Sequence, residues 1–339
     1  MLGMNLTMTV NMLNVSNHSI NTNGLVSDYD RYIGIISFVF LFLILILSFF
    51  GNILVILSFK SVKKLRTVTN FFVVSLAVAD ILIASFSMPI WAAYLLTGPF
   101  WIYSQFLLKI WICMDIMCGV ASIINLAAIS IERYLCITFP LSYHQTMTST
   151  KATIIILGIW LFAFAMATVK YFLFNYPPPL YELIIVITCF VIPLFIMCLC
   201  YKMIFQTARY QARQIALMVN GGVKKFFLAS EVRAAKTLAV VMGAFIISWG
   251  PFFILNLVYG FCPTCVGDET IKVAKWMHYS NSVYNPFVYA CMNKDFRASF
   301  ISILLGWKVC LRKMRSHPYP PVSDPSAEIS LNNSSHQHS

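Results

Sequence analysis

Charge is what this chain has least of. Only 11% of its 339 residues are Asp, Glu, Lys or Arg, less than half the share usual in water-soluble domains. A soluble protein this apolar has too little polar surface to cover itself, so an aqueous globular domain is excluded and the bilayer is the natural solvent. Acid is scarcer still, with 12 carboxylates against 24 Lys and Arg and a net charge of +12. The basic residues form short clusters between apolar stretches, not one stripe, so no nucleic-acid partner is expected. The first 30 residues are polar and Asn-rich and lack the basic start and compact apolar core of a cleavable leader. The first apolar run, from near Tyr32, is expected to act as a signal anchor.

Metal-site spacing is missing from the ten cysteines. Most lie in apolar stretches, where a small packed hydrophobe is the plain reading. Cys262-Pro263-Thr264-Cys265 stands apart in a loop and can close a small disulfide, with too few ligands nearby for zinc. No His or Asp pair is placed for intramembrane catalysis, so no enzyme is expected. Repeat symmetry with broken helices in matching halves would mark a transporter, and a ring of pore-lining polar residues a channel. The sequence shows neither.

What is there is a set of long apolar segments. A span needs about 20 such residues, and seven candidates qualify: roughly 33–58, 69–96, 105–137, 152–174, 179–206, 234–260 and 270–291. An odd number puts the termini on opposite sides. Lys60, Lys63, Lys64 and Arg66, the segment 202–236 and the tail after Lys294 are basic. The positive-inside rule therefore puts the N-terminus outside and the C-terminus in the cytoplasm. Sequons at Asn5, Asn14 and Asn17 agree, as glycosylation acceptors on an extracellular tail. The expected fold class is an all-α membrane protein, a seven-transmembrane helix bundle with a short amphipathic eighth helix from Asn293 along the membrane surface. The expected organisation is an extracellular glycosylated tail at 1–32, the bundle with its eighth helix at 33–304, and a disordered cytoplasmic tail at 305–339.

Inside the membrane, polar residues carry the information. A mid-span Asp costs about 2.5–3.5 kcal/mol on insertion scales and so needs a reason. Asp80 shares its depth with Asn52, Ser122, Asn281, Ser282 and Asn285. Together they make either a structural hydrogen-bond network or a site for water or a sodium ion. Asp115 lies higher in the third span. Arg133 follows 18 residues later, five full helical turns and about 27 Å along one face. Gly119 and Ser122 share that stripe, and Ile116 sits beside it. A carboxylate near the extracellular mouth wants a cation, either an ammonium-bearing ligand or one of Lys109 and Lys275 near the rim. Trp249, Phe252, Phe253 and Asn256 in the sixth span, and Trp276 and Tyr279 in the seventh, lie at similar depth. Acid among aromatic rings suits an amine. Ile185 and Cys189 in the fifth span offer no hydroxyl pair, so a catechol would lack partners there.

Several motifs carry a resemblance. Gly51-Asn52, Leu76-Ala77-Val78-Ala79-Asp80, Glu132-Arg133-Tyr134, Trp160, Pro193, Tyr201, Trp249-Gly250-Pro251 and Asn285-Pro286-Phe287-Val288-Tyr289 occur in order, each in its own span. Over 33–300 the chain resembles the rhodopsin-class G-protein-coupled receptors. Asp115, Trp249 to Phe253, Trp276 and Tyr279 resemble the amine receptors. Arg233-Ala234-Ala235-Lys236-Thr237-Leu238 and Asn281-Ser282 look like the trace-amine-associated branch, although Asp295-Phe296 stands where that branch usually has Trp-Phe.

The resemblance implies a plasma-membrane receptor that binds a small cationic amine and activates a heterotrimeric G protein. Arrestin and receptor kinases are its further implied partners. It has no cofactor beyond a possible allosteric sodium ion at Asp80, Ser122, Asn281 and Asn285. Trp249 and the trio Ile123, Pro193 and Phe245 would relay binding. Arg133 would be held by Glu132 and Glu231 until release, with Tyr134 beside it and Tyr201 and Tyr289 supporting the open form. One departure is plain: Leu108 occupies the position of the family's third-span cysteine, and the short loop around Pro177-Pro178-Pro179 has no partner cysteine. That keeps open an atypical, ligand-independent or non-amine receptor.

Overall fold

The computed structural model describes residues 28–97, 104–173, 179–216 and 222–316. Every regular element among them is helical. The seven long helices are α1 (Asp28–Ser61), α2 (Val68–Leu82, continued through Ile83–Ser87 and Met88–Thr97), α3 (Gln105–Thr138), α4 (Ser149–Phe172), α5 (Pro179–Val186, continued through Ile187–Val191 and Ile192–Ala216), α6 (Gly222–Phe261) and α7 (Asp268–Met292). A short helix, Pro140–Thr146, joins α3 to α4, and α8 (Lys294–Ser316) follows α7. Six of the expected spans fall within one of the seven, and the fourth, 152–174, overruns the end of α4 at Phe172. The sequons at Asn5, Asn14 and Asn17 lie outside the described residues.

Two wide π turns have the same local cause. Ile83–Ser87 ends two residues before Pro89, and Ile187–Val191 two residues before Pro193. Proline has no N–H to give the preceding turn, and its ring crowds the carbonyl four residues back. An extra residue in that turn relieves both problems and rotates the following face of the helix.

Six described helices are long and apolar enough to cross a membrane, from Gly34–Ser61 to Met242–Phe261. α7 is too polar to qualify on its own. Its Lys275, His278, Asn281, Ser282 and Asn285 recur at helical spacing and are all buried. That polar stripe turns inward, and the seventh span is stable because α1 and α6 cover it. α3 runs through the middle, packed on α2, α4 and α5. α1 and α4 instead expose Phe42, Leu43, Leu161 and Phe164, a surface suited to hydrocarbon. Trp160 of α4 reaches α2, where its indole N–H donates to Ser75 Oγ at 3.0 Å.

α1 meets α7 closely at Gly51. A Cβ there would lie 2.8 Å from Pro286 Cγ, so any side chain forces the helices apart. Gly51→Val is expected to destabilise the bundle by roughly 1–3 kcal/mol. A lower unfolding midpoint in detergent is the expected readout, and an unchanged midpoint would show that the α1–α7 seam yields freely.

At the α6–α7 turn, Cys262 and Cys265 form a disulfide, with Cα atoms 5.4 Å apart. At the other end, Asn293 Oδ1 accepts from the backbone N–H groups of Asp295 and Phe296 and starts α8. Phe296 stacks on Tyr289 at 5.5 Å. α8 continues to Ser316, beyond the boundary at 304 expected from sequence. The physical reason is that Trp307, Cys310, Leu311 and Met314 recur at helical spacing among Lys308, Arg312 and Lys313 and so prolong the amphipathic pattern.

Candidate functional site

The site is built where α2, α3, α6 and α7 converge around Asp115. The π turn in α2 presents Ser87, whose hydroxyl donates to Asp115 Oδ1 at 2.6 Å and contacts Tyr279 Oη at 3.0 Å. Trp111 lies one turn before Asp115 on the same face of α3. Its indole N–H donates to Ser87 Oγ at 3.0 Å. The other carboxylate oxygen, Oδ2, accepts from Lys275 Nζ at 2.8 Å. Asp115 is 2% and Lys275 3% exposed, so neither charge can rely on water and each relies on the other.

The Lys275 ammonium also lies over aromatic faces. Ring centroids of Phe252 and Tyr279 are each 5.2 Å from Nζ, Trp111 5.3 Å and Trp91 5.8 Å. The carboxylate that the sequence leaves to either an external cation or a lysine is thus held by Lys275. Lys109 instead sits over Tyr171 at 5.8 Å. Below the cage, His278 lies 4.1 Å from Trp249, ring to ring, and neither imidazole nitrogen has a hydrogen-bond partner.

The other expected pocket residues divide. Ile116, Ile185, Cys189, Trp249, Phe252 and Phe253 are buried together in the core. Gly119 is buried on α3. Phe190, absent from the sequence reading, stacks on Phe253 at 4.6 Å. Asn256 donates to the Phe252 carbonyl of its own helix at 2.6 Å. Trp276 is not brought into the cage. Its ring meets Phe40 of α1 edge-on at 6.0 Å, because one residue along a helix rotates the side chain by about 100° from Lys275.

One layer deeper, Asp80 accepts from Ser282 Oγ at 2.8 Å and from Asn285 Nδ2 at 2.9 Å. Asn52 ties α1 to α7 by donating to the Ser282 carbonyl at 3.0 Å. Asn281 is buried but is not among Asp80's hydrogen-bond partners. Ser122 Oγ, Asn285 Oδ1, Tyr289 Oη and Trp249 Nε1 are buried without hydrogen-bond partners. Buried polar atoms of this kind ask for water or an ion.

At the far end of α3, Arg133 is fastened to its neighbour. Its Nε and Nη2 each donate to a Glu132 oxygen at 2.7 Å. Thr69 of α2 donates to both Glu132 oxygens at 3.0 Å and itself receives a bond from Arg133. Tyr143, on the short helix after α3, donates to Glu132. Burial and the Glu132 carboxylate push the Tyr143 phenol upward in pKa, so it remains a donor. Ile123 and Phe245 are fully buried, and Phe245 lies between Phe190 and Trp249. Pro193 and Tyr289 are also buried, Tyr201 is partly so, and Tyr134 packs against Ile137 and Ile204. Glu231 lies on α6, with its side chain outside the described residues.

A family profile for seven-transmembrane receptors of the rhodopsin family matches residues 51–289. The chain belongs to that family. It is therefore a multi-pass membrane protein from a family of receptors, not enzymes. It is 33% identical to Dopamine receptor 1 of Drosophila melanogaster over an alignment covering 78% of this chain and 61% of that protein. It is 30% identical to the D(1A) dopamine receptor of Didelphis virginiana, covering 93% and 81%. With the histamine H2 receptor of Canis lupus familiaris it shares 33% identity, covering 77% of each chain. The chain thus spans less than two thirds of the length of the Drosophila protein.

In this rhodopsin-family chain Leu108, near the start of α3, is buried, and Cys113 and Cys118 are free thiols. Near the same end a second buried ion pair crosses from α4 to α5: Lys170 Nζ donates to Glu182 Oε1 at 3.0 Å. Sequence reasoning missed Ser87, Trp91, Trp111, Thr69, Tyr143 and the Lys170–Glu182 pair. Trp111 alone carried a readable signal, at one turn from Asp115.

Proposed function

We propose that this chain is a plasma-membrane receptor with its Asp115 end outside, which binds a ligand bearing an ammonium group and activates a heterotrimeric G protein at its Arg133 end. One observation carries the reading. The cage already holds an alkylammonium, the Lys275 side chain, between a carboxylate and four aromatic rings. Carboxylate and ring faces are the partners that any ligand ammonium needs. The relatives named for dopamine and histamine support the same ligand class. The resemblance through Arg233 to Leu238 and Asn281-Ser282 favours a primary ammonium as the group that meets Asp115. Basic residues Lys60, Lys63, Lys64 and Arg66 at the Arg133 end support its cytoplasmic placement.

The mechanism follows from the packing. A ligand that competes for Asp115 displaces Lys275 and presses on Phe252 and His278, which rest on Trp249. Trp249 moves against Phe245, and α6 swings at the Arg133 end. Glu132, Thr69 and Tyr143 then release Arg133 to the G protein. The ligand shifts this equilibrium only by its differential affinity for the two states. Arrestin and receptor kinases would meet the same end. Asp80, Ser122 and Asn285, with Asn281 close in sequence, offer the oxygen donors that suit a sodium ion. Bound there, the ion would neutralise Asp80 and favour the closed bundle. Asn5, Asn14 and Asn17 would carry glycans.

A second reading rests on the same pair: Lys275 acts as a resident cation, and the receptor works without a diffusible ligand. Second-messenger assays on cells expressing wild type and Lys275→Met, with a panel of amines, separate the two. Amine responses, strengthened once Lys275 is gone, are expected. Silence of both proteins to every ammonium-bearing compound, amino acids included, at matched surface level, ends the ammonium-ligand reading.

The Arg133 fastening yields its own expectation. Thr69→Val with Tyr143→Phe removes two donors to Glu132, each worth about 1.5–3 kcal/mol when the partner is charged. Even about 1.4 kcal/mol shifts a two-state ratio tenfold, so ligand-free signalling should rise clearly. Unchanged basal signalling would detach this network from the activation step.

A further inference from the structure

We infer that the ligand of the Asp115 cage is zwitterionic: it gives its ammonium to Asp115 and an anionic group of the carboxylate kind to Lys275. The inference rests on the reading of the cage as the ligand pocket and adds the second charge.

The argument is charge balance in a dry site. The cage contains one carboxylate and one ammonium, 2.8 Å apart and both nearly inaccessible to water. The groups facing them from α2, α3, α6 and α7 are Ser87, Trp91, Trp111, Phe252 and Tyr279, none of them charged, and His278, an imidazole 1% exposed that burial without a hydrogen-bond partner keeps neutral. The cage is therefore balanced before any ligand arrives. A simple amine brings a second cation to a single carboxylate. Either Lys275 or the ligand is then left among rings without a counter-ion, which a buried charge tolerates poorly. A simple acid creates the mirror problem, because it draws Lys275 away and leaves Asp115 unpaired. A ligand with both charges replaces one ion pair by two, and the signs alternate from Asp115 through the ligand to Lys275.

The remaining features fit such a ligand. An α-amino acid carries ammonium and carboxylate on one carbon, so its two charges are close enough to part a pair that now touches. Lys275 has a flexible four-carbon stem, and its ammonium can withdraw while keeping a partner. His278, buried beneath the pair with both ring nitrogens unpartnered, offers a donor to the incoming carboxylate. Ile185 and Cys189 face the core with no hydroxyl pair. The third substituent is therefore apolar, packed against Phe252 and Trp249, and not a catechol.

Matched pairs differing only in the carboxylate test this: phenylalanine with phenethylamine, tryptophan with tryptamine, leucine with isopentylamine. Full-length wild type and Lys275→Met are compared in a second-messenger assay at equal surface level. Wild type is expected to prefer an amino acid over its amine by at least about tenfold in potency, and Lys275→Met to reverse that order. Lys275→Gln replaces the methionine variant if the latter does not reach the surface, and the wild-type order is diagnostic without either. Amine preference in wild type, or an amino-acid preference that survives loss of Lys275, overturns the zwitterion while leaving the ammonium reading intact. Silence of wild type and variant toward both members of every pair overturns both.

Discussion

Asp115→Ala is expected to damage the fold of this receptor as well as its response. The substitution leaves the Lys275 ammonium 3% exposed among four rings with its carboxylate gone. Removing one partner of a buried pair typically destabilises by roughly 3–5 kcal/mol, mainly because the survivor is stranded. The unfolding midpoint in detergent and the surface level should both fall. Asp115→Ala with Lys275→Met should recover most of the loss, since no charge is then stranded and methionine fills the path of the lysine stem. The double variant should still fail to respond to any ammonium-bearing ligand. If the single variant is as stable as wild type, Lys275 has another partner and the cage geometry described above is wrong.

A comparable loss is expected for Glu182→Leu, again roughly 3–5 kcal/mol. Lys170 is fully buried, and Glu182 Oε1 accepts from it at 3.0 Å. Leucine removes the acid that neutralises the buried Lys170 ammonium between α4 and α5. Lys170→Met with Glu182→Leu should return close to wild-type stability, since an apolar pair of similar volume often matches or exceeds a buried ion pair. This pair and Lys275–Asp115 each tie two helices near the Leu108 end of α3. A thermal-unfolding comparison of the four proteins would settle the point. If the double variant loses as much as the single one, packing rather than the un-neutralised charge is responsible.

Helix number, span limits and the facing of Asp115 and Arg133 were legible because two lengths govern them. The hydrocarbon layer needs about 20 apolar residues per span, and the 3.6-residue turn puts positions 18 apart on one face. The Asp80 network was legible in part: Ser282 and Asn285 recur at helical spacing opposite it, whereas Ser122 and Asn281, expected with them, are not among its hydrogen-bond partners.

Partner choice was not legible. Lys109 and Lys275 were equally available to Asp115 in sequence; the rotation of α7 sends Lys275 inward, while Lys109 goes to Tyr171. The same rotation turns Trp276 onto Phe40. Ser87 reaches Asp115 from the widened turn before Pro89, a local change in helix phase that ideal periodicity does not register. Lys170 and Glu182 meet across a helix–helix seam. The chain alone therefore determined that seven helices span a membrane and that Asp115 and Arg133 share one face of the third, since both follow from local periodicity and the solvent. Only tertiary packing decided which buried charge meets which, because that depends on helix phase and side-chain reach between segments far apart in sequence.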